Sequence, residues 1–555
     1  MATTIWGQQP WTALQDSNLI ALKNKAQALA ILADSPTPCS CHTSPELYLY
    51  DLYNYYQQKE LLEQEQKRLN ESKFHPSETA SSLTTKIKLQ QQELSKQKNN
   101  LTIKGLSLAQ SMAIQSMKVD NEDIQALLAK EAHFLSTTYP NTKNDPFVYE
   151  AVYKALLRLE TVYQDNPNFN VLNQTPKGFT RLGRIRMIKI DSSNQIMYTL
   201  SSDGLLLKWE LNTYKNKSAR YDTMNKPQVL AINPTISRTL DISSNGKELI
   251  SAGDGHKILT TNAISGKTYS QLAIPKGHRI WAVKYVSNKK GIVIAEGNMT
   301  RETIVRYQNS TNTTTQTIDS IPYRLTSWDL STDGKYLAGA GDSATIWIWN
   351  LEQFHREFLL KIPKNRKRVT AIAFNPQKTL LAAGYQDGSL MIWDINRAKS
   401  DSTYLPKKIL HHKAYISDVE FNADGTRLAV GSLDKTATLW SINPSKQYGN
   451  QETLYPYLNP NFDPIVLDNY TDWVTSVAFS PNGHYLVTGT ANGQLNIWET
   501  DLKVYMDQLT PYVNNFSTEY TYKIWQQYIQ TKAPTEEYNP RKLYKNFLIN
   551  LRNRK

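Results

Sequence analysis

Cysteine is almost absent from this chain of 555 residues, which contains only Cys39 and Cys41. A disulfide bond across the one intervening residue would be strained. A closed zinc site needs four ligands, and Cys39, Cys41 and His42 would supply three. We therefore expect an exposed loop here, with no metal and no cofactor. The lack of a disulfide framework favours a reducing compartment.

Long apolar segments are also absent. No run of about 18 apolar residues occurs, so the sequence predicts no membrane-spanning helix. The first residues, MATTIWGQQPWTALQDSN, lack the basic region and the apolar stretch of a signal peptide. These absences lead us to expect a cytoplasmic protein.

Sequence motifs of catalysis are missing as well. The chain has no Gly-x-x-x-x-Gly-Lys-Ser/Thr phosphate-binding loop and no Gly-x-Ser-x-Gly nucleophile turn. Its 9 histidines include no pair at metal-binding spacing. We therefore expect no enzymatic activity.

The formal net charge is +13, and its distribution is uneven. Residues 1–176 hold 16 basic and 18 acidic side chains, residues 177–500 hold 38 and 27, and residues 501–555 hold 9 and 5. A positive field of this kind attracts acidic partners. The charge is diffuse and comes without a recognition helix or a stacking motif, so we do not expect nucleic-acid binding.

Three segments between residues 368 and 499 are nearly copies of one another. They are RVTAIAFNPQKTLLAAGYQDGSLMIWD (368–394), YISDVEFNADGTRLAVGSLDKTATLWS (415–441) and WVTSVAFSPNGHYLVTGTANGQLNIWE (473–499). Each alternates apolar and polar residues between turns rich in Asn, Asp and Gly, which indicates short antiparallel strands. A unit of this kind that recurs about every 40–45 residues is typical of a propeller blade.

The residue that closes each unit fixes the number of units at seven. The closing positions are Trp209, Thr260, Tyr307, Trp349, Trp393, Trp440 and Trp498. The second and third units, at residues 237–262 and 280–309, are degenerate but keep the spacing. Seven four-stranded blades close into a ring that leaves only short edges. The sequence therefore predicts a mainly β protein with a seven-bladed propeller over residues 177–500.

These repeats resemble WD40 repeats. The resemblance implies a structural hydrogen-bond network in the sixth blade, formed by His412, Ser432, Asp434 and Trp440. A serine-hydrolase interpretation of the same residue types is disfavoured, because Asn365 and Tyr470 hold the histidine position in neighbouring blades. No catalytic pattern is therefore kept from blade to blade.

Helices are predicted on both sides of the propeller. Residues 1–119 form a helical region with a coiled-coil-like hairpin, in which Ile87, Leu94, Leu101 and Leu108 recur every seven residues. This stripe would serve either ordinary packing or dimerisation. Residues 120–176 form a helical leader packed on the propeller, with Asp120 and Asp145 as helix caps. Residues 501–555 form a basic helical tail that starts with DLKVYMDQL, a candidate outer strand.

The leader followed by repeats also resembles the C-terminal half of bacterial signal-transduction ATPases with numerous domains. The residues that carry this resemblance are 108–160 and the repeats themselves. The ATPase half is absent, since the chain has no phosphate-binding loop. The resemblance therefore implies a binding module in signal transduction.

A candidate partner-binding rim lies just before the first strand of each blade. Aligning the repeats there gives Arg184, Ile236, Arg279, Arg324, Arg368, Tyr415 and Trp473. Guanidinium groups pair with carboxylates or phosphates, and aromatic residues provide contact area. These arginines would otherwise pair with carboxylates between blades.

The function that we expect is a non-enzymatic scaffold or sensor that binds an acidic peptide or protein surface at this rim. The alternative is a structural subunit of a membrane-associated or secretion assembly. That assembly would be held at a membrane surface by the basic helix predicted at residues 540–553.

Overall fold

A computed structural model describes most of the chain between residues 55 and 514. The described residues are 55, 58–59, 61–64, 66–67, 78–137, 145–164, 171–172, 175–193, 196–211, 226–233, 235–286, 291–298, 302–309, 315–361, 368–377, 379–401, 404–410, 412–442 and 464–514. The loop at Cys39 and Cys41 and the basic helix predicted at residues 540–553 lie outside them. The chain divides into two units, one of residues 1–165 with 502–555 and one of residues 166–501.

The first unit is helical. Its long helices are α1 (Glu78–Lys118), α2 (Glu122–Thr137) and α3 (Pro146–Gln164). Ile87 and Leu94 of the seven-residue stripe are buried against Leu62, which lies in the helical segment before α1. The stripe therefore packs on the chain's own residues at these two positions.

Side-chain caps begin the second and third helices. Asp145 accepts hydrogen bonds from the backbone N–H groups of Phe147 and Val148, at 3.0 and 3.1 Å, which confirms it as the cap of α3. The prediction of Asp120 as the cap of α2 was wrong. Asn121 takes this place, since its side chain accepts from the N–H of Ile124 at 3.0 Å. Helix α2 begins at Glu122, so the residue immediately before it is the one in reach.

The segment after the propeller is a helix, Leu502–Asn514, so the predicted outer strand at DLKVYMDQL was wrong. Its buried residues recur at helical spacing, at Leu502, Tyr505, Met506, Leu509 and Val513. The Tyr505 ring lies 5.6 Å from the Tyr149 ring of α3. The outer-strand position that this segment would have filled is held by another part of the chain.

The second unit contains 28 described strands arranged as seven four-stranded sheets, which confirms the seven-bladed propeller. The first strand in the chain, β1 (Val171–Leu172), belongs to the last blade. Blade 1 contains β2 (Ile185–Ile190), β3 (Ile196–Ser201), β4 (Leu205–Glu210) and β5 (Gln228–Ile232). Blade 2 contains β6 (Ser237–Ile242), β7 (Glu248–Gly253), β8 (Lys257–Asn262) and β9 (Thr268–Ala273). Blade 3 contains β10 (Arg279–Tyr285), β11 (Gly291–Gly297), β12 (Thr303–Asn309) and β13 (Thr315–Ile321).

The remaining blades follow the same order. Blade 4 contains β14 (Leu325–Leu330), β15 (Tyr336–Gly341), β16 (Ser343–Asn350) and β17 (His355–Lys361). Blade 5 contains β18 (Val369–Phe374), β19 (Leu380–Tyr385), β20 (Ser389–Asp394) and β21 (Lys407–Leu410), with the short helix α4 (Ile395–Ser400) between the last two. Blade 6 contains β22 (Ile416–Phe421), β23 (Arg427–Ser432), β24 (Ala437–Ser441) and β25 (Ile465–Leu467). Blade 7 contains β26 (Val474–Phe479), β27 (Tyr485–Thr490) and β28 (Leu495–Glu499). The helix that follows is α5, Leu502–Asn514.

The first strand of each blade lines the central channel, and we call it the inner strand. Each inner strand packs against the inner strand of the next blade, and β26 packs against β2, so the ring is closed. Strand β1 pairs antiparallel with β28 and completes blade 7 with residues from before blade 1. Val171 and Leu172, which were predicted to belong to the helical leader, are therefore part of the propeller. The predicted packing of that leader stays a prediction.

One closing position was misplaced by a single residue. In the other blades the closing aromatic pairs with the residue near the start of the second strand, as Trp209 does with Met197. In blade 2 the residue in this register is Thr261, which pairs with Leu249, and not Thr260. The preceding turn differs as well, because Gly204 has a left-handed φ of +85°, whereas Gly255, five residues before Thr260, has no left-handed φ.

Every inner strand contains an irregularity at the same place. Its pairing with the second strand shifts at one bulged residue, which is Arg186, Arg238, Trp281, Thr326, Thr370, Ser417 or Thr475 in blades 1 to 7. In blades 5, 6 and 7 the bulged hydroxyl donates to a carbonyl of the next inner strand. These bonds run from Thr370 to Ile416, from Ser417 to Val474 and from Thr475 to Ile185, at 2.6, 2.7 and 2.6 Å.

The bond from Thr475 joins the last blade to the first, so its loss should destabilise the ring. We expect Thr475→Val to lower the free energy of unfolding by about 1 kcal/mol, because a buried carbonyl loses its donor. Thr326→Val is the matched control, since Thr326 holds the same position in blade 4 and its side chain is exposed. Chemical denaturation of both variants measures the difference. Equal effects would contradict a role of this hydroxyl in ring closure.

Candidate functional site

One end of the channel gathers the residues singled out from the sequence. Each inner strand begins at this end, and the turn between the second and third strands returns to it, because neighbouring strands are antiparallel. We call this end the channel mouth. It comprises the bulged residues, the acidic residues of those turns, and the positions that begin the inner strands, namely Arg184, Ile236, Arg279, Arg324, Arg368, Tyr415 and Trp473.

The positive charges of three predicted arginines affect the pKa of one tyrosine hydroxyl, that of Tyr415. Burial raises the pKa of Tyr415, and the positive charges of Arg184, Arg368 and Arg324 act in the opposite direction. Tyr415 belongs to blade 6, whereas the arginines belong to blades 1, 5 and 4. Side chains from both sides of the channel therefore converge at the mouth.

Three other residues of the predicted rim, Arg279, Trp473 and Ile236, are not part of this convergence. Within the described part of the chain, Arg279 makes no ion pair with a carboxylate. Trp473 is 45% exposed, and its backbone N–H bonds to the adjacent Asp472 side chain. Ile236 is also exposed, at 50%. Trp473 and Ile236 therefore present apolar surface beside the charged centre.

The bulged residues of blades 1 to 3 form a second set that the sequence analysis missed. Arg238 lies over the ring of Trp281 at 5.6 Å, and Arg324 lies at 5.6 Å from the same ring. Contacts of this kind are favourable cation–π interactions. Arg186 is electrostatically coupled to both Arg184 and Arg238. Aligning the position two residues after the predicted one would have revealed this set.

Few carboxylates balance these arginines. Asp342 is shared, since its Oδ1 atom lies 3.4 Å from Nη2 of Arg324 and 3.5 Å from Nη1 of Arg368. Asp254 pairs with Nε of Arg238 at 2.5 Å. Arg184 and Arg186 form no ion pair with any carboxylate among the described residues. Asp472 and Asp254 act on Arg184 and Arg186 only electrostatically, so these two guanidiniums lack a direct carboxylate partner in this part of the structure.

Burial and charge repulsion act together on these two arginines. Burial lowers the pKa of Arg184, against the influence of Tyr415 and Asp472. Burial also lowers the pKa of Arg186, and the nearby charges of Arg184 and Arg238 lower it further. Arginine stays protonated at neutral pH in proteins. Both side chains are therefore cations whose charge is disfavoured by burial. Repulsion from neighbouring arginines adds to this at Arg186, and a bound anion would stabilise both charges.

The predicted network of blade 6 exists with one different member. His412 Nδ1 lies 3.0 Å from Asp434 Oδ2, and His412 Nε2 lies 3.0 Å from the Thr438 hydroxyl, to which the Trp440 indole N–H donates at 3.1 Å. The assignment of Ser432 was wrong. Its hydroxyl donates instead towards the carbonyls of Ala414 and Tyr415.

Strand register explains why Ser432 does not take part. Trp440 pairs with Leu428, which lies four residues, or about 13 Å, from Ser432 along β23. Thr438 lies on the same strand as Trp440, two residues earlier. Thr438 is only 3% exposed and its hydroxyl is engaged on both sides. The Thr438 hydroxyl is therefore a buried structural link between His412 and Trp440.

Charged residues also line the channel wall below the mouth. Lys284 Nζ lies 2.5 Å from Asp329 Oδ1, and Asp329 accepts the backbone N–H of Phe374 in the next blade at 2.9 Å. Burial raises the pKa of Glu420 to about 8, and the neighbouring carboxylates Asp418 and Asp329 raise it too, whereas Lys189 and Lys284 lower it. A carboxyl group in the channel wall therefore takes up a proton on folding.

The described residues contain neither a metal-binding cluster nor a membrane-spanning helix. No group of three or more His, Cys, Asp and Glu side chains there could hold a metal ion. No helix in this part of the chain is long and apolar enough to cross a membrane.

The repeats match known propeller sequences over parts of their length. A family model described as the Vps8 β-propeller matches residues 325–454, and one described as the WD domain, G-beta repeat, matches residues 465–499. The chain carries a WD40-repeat propeller. Its seven blades include the two degenerate ones, which keep all four strands.

The WD40 propeller has partial relatives among known proteins. The WD repeat-containing protein VIP3 of Arabidopsis thaliana is 25% identical over 136 residues, which are 22% of this chain and 42% of that protein. The 66 kDa stress protein of Physarum polycephalum is 22% identical over 236 residues, which are 42% of this chain and 35% of that protein. The chain thus spans less than half the length of these relatives. Both are eukaryotic proteins, so the resemblance to bacterial signal-transduction ATPases stays a prediction.

One solved structure aligns with part of the chain. The β-propeller domain of Cps50 (Swd1) from Myceliophteria thermophila aligns with a TM-score of 0.46 and 16% sequence identity. The alignment covers 59% of this chain and 99% of that domain.

The Trp440 network should contribute to stability and not to binding. We expect Trp440→Phe to lower the free energy of unfolding by roughly 1–3 kcal/mol, because the Thr438 hydroxyl loses its donor inside the blade. Trp473→Phe is the control, since Trp473 is largely exposed, and it should change stability by less than about 0.5 kcal/mol. Chemical denaturation checks both. Unchanged stability of Trp440→Phe with altered partner selectivity would contradict the structural role.

Glu420 should make the stability of the propeller depend on pH. Its pKa is raised on folding, from the model-compound value of 4.5 to about 8. The stabilisation from this proton is complete below pH 4.5 and is lost as the pH rises to about 8. We expect Glu420→Gln to flatten the unfolding free energy over this interval, whereas Glu352→Gln, at an exposed carboxylate, should not. Parallel pH profiles for the wild type and Glu420→Gln would contradict this.

Proposed function

We propose that the WD40 propeller is a non-enzymatic interaction scaffold whose channel mouth binds an acidic segment of a protein partner. The observation that carries the proposal is the convergence of Arg184, Arg324 and Arg368 on Tyr415 from three blades. A group of cations from separate blades can contact several carboxylates of one extended segment. Guanidinium forks pair with carboxylates bidentately, which gives both affinity and orientation.

The surroundings of this group support a protein as the partner. Trp473 and Ile236 provide exposed apolar area on the same end of the propeller. Aromatic residues beside arginines are typical of the energetically dominant part of protein interfaces. An acidic segment would place its carboxylates on the arginines and its apolar side chains on this rim.

The alternative assigns the chain to a membrane-associated or secretion assembly. It depends on the basic helix predicted at residues 540–553, which lies outside the described residues. Cell fractionation distinguishes the two, because the alternative places the protein in the membrane fraction. A cytoplasmic location and a role in signal transduction remain predictions from the sequence.

The pair Arg324 and Arg368 provides the most direct test of the mouth. We expect the double substitution Arg324→Gln with Arg368→Gln to weaken binding of a fluorescent ten-residue polyglutamate peptide by roughly tenfold, or about 1.4 kcal/mol. The salt dependence of binding should also flatten, because fewer screened charges remain in the interface. Fluorescence anisotropy at two salt concentrations measures both effects. A modest loss of melting temperature is expected, since the nearly buried Asp342 loses both of its guanidinium partners.

A matched control removes the same charge from the opposite end of the propeller. Lys247 and Lys267 are exposed and lie in turns at the far ends of the blade 2 strands. Their double substitution by Gln should leave peptide binding within about twofold of the wild type. Normal binding by the arginine variant together with a large loss of melting temperature would show that the arginines hold the blades together and bind no partner.

A further inference from the structure

The inner part of the mouth contains buried hydrogen-bond donors without acceptors. The Nε atoms of Arg184, Arg186 and Arg324 and the indole Nε1 atom of Trp281 are all buried and have no hydrogen-bond partner among the described residues. Buried polar groups in folded proteins are nearly always paired, because an unpaired donor costs about 1–3 kcal/mol. Four unpaired donors at one end of the channel indicate that an acceptor-rich group belongs there.

These donors lie in one connected group. Arg186 is electrostatically coupled to Arg184 and to Arg238, and the guanidiniums of Arg238 and Arg324 each lie 5.6 Å from the Trp281 ring. The Trp281 indole nitrogen packs against Gly297, where a side chain would collide with it. The donors thus belong to positioned side chains and not to freely moving ones.

The bulged residues of blades 1 to 3 have no hydroxyl, whereas those of blades 5 to 7 do. In blades 5, 6 and 7 the bulged residue is Thr370, Ser417 or Thr475, and its hydroxyl bonds to the next blade. In blades 1, 2 and 3 the same position holds Arg186, Arg238 and Trp281, which have no hydroxyl. These three blades therefore lack a bond from a bulged hydroxyl, and blades 1 and 2 carry a cation at that position, while the hydroxyl of the neighbouring Thr239 still bonds to Val283 of blade 3.

The chemistry of the group favours a phosphoryl anion over a carboxylate. A phosphorylated side chain carries about −1.5 to −2 charges at neutral pH and three strong acceptor oxygens. A carboxylate carries one charge and two oxygens. Arg184 and Arg186 have no carboxylate partner in the described structure, so a dianion would neutralise both. Its three oxygens also match several of the unpaired donors.

We propose that Arg184, Arg186 and Arg238, with Trp281, form a phosphoryl-binding subsite at the channel mouth, which makes recognition of the acidic partner dependent on its phosphorylation. This inference rests on the proposed function, since it names the modification of the same bound segment. The source of the phosphoryl group is a phosphorylated residue of the partner, and a free phosphate ion is the other source that the chemistry allows.

Two acidic peptides of one sequence, with a central serine either unmodified or phosphorylated, test the proposal on the full chain. We expect the phosphorylated peptide to bind at least tenfold more tightly in fluorescence anisotropy. Arg186→Gln should remove most of this preference. Arg186→Lys keeps the charge but not the planar fork, so it should keep only part of it. Arg181→Gln is the control, because Arg181 is an exposed arginine of the same segment and should leave the preference unchanged.

The outcomes separate this inference from the proposed function. Equal affinity for the two peptides, with binding still weakened by the Arg324 and Arg368 substitutions, would overturn the phosphoryl subsite and leave the acidic-partner function intact. Binding of inorganic phosphate alone, lost in Arg186→Gln while neither peptide binds, would support the subsite with a free ion and overturn the proposed function. Absence of binding by all three probes would overturn both.

Discussion

The structure depends on the packing of seven inner strands against one another around the channel. Each inner strand contacts the next, and the ring closes where β26 meets β2. Closure is reinforced by the hydrogen bond from Thr475 to Ile185 and by β1, which completes the last blade. Ring closure is needed for stability, because an open ring of blades would leave strand edges and apolar faces exposed. Everything at the mouth is positioned by these strands.

The ring has two chemically different halves. Blades 5 to 7 keep the hydroxyls that join neighbouring blades, and blade 6 keeps the network of His412, Thr438 and Trp440. Blades 1 to 3 lack those hydroxyls and place arginines and a tryptophan at the same bulge. Two of these blades, 2 and 3, are the degenerate ones, and their bulges hold Arg238 and Trp281 of the candidate site.

Periodicity in the sequence was enough to predict the blades. The alternating strands and closing tryptophans depend on local patterns that recur, and the structure confirms seven four-stranded sheets. Features that depend on strand register or on pairing between distant residues could not be predicted from the sequence pattern. Thr260 was chosen over Thr261 because a one-residue shift changes which side chains meet. Ser432 was chosen over Thr438 because the pairing of Trp440 with Leu428 across β23 and β24 is not visible in the sequence. Residues 501–509 were predicted as a candidate strand because nothing local indicates that β1 already occupies that edge. The role of Trp281 depends on a bulge, which alternation alone does not show.

The central claim is that the mouth, and not another surface of the propeller, binds the acidic partner. Backbone hydrogen–deuterium exchange with and without a saturating acidic peptide tests this directly, since it locates the contact without changing any residue. Binding at the mouth predicts slower exchange at residues 184–187, 324–328 and 368–371, where inner strands begin in blades 1, 4 and 5. Slower exchange confined to the turns at residues 243–247 and 331–335, at the opposite end of the channel, would contradict it.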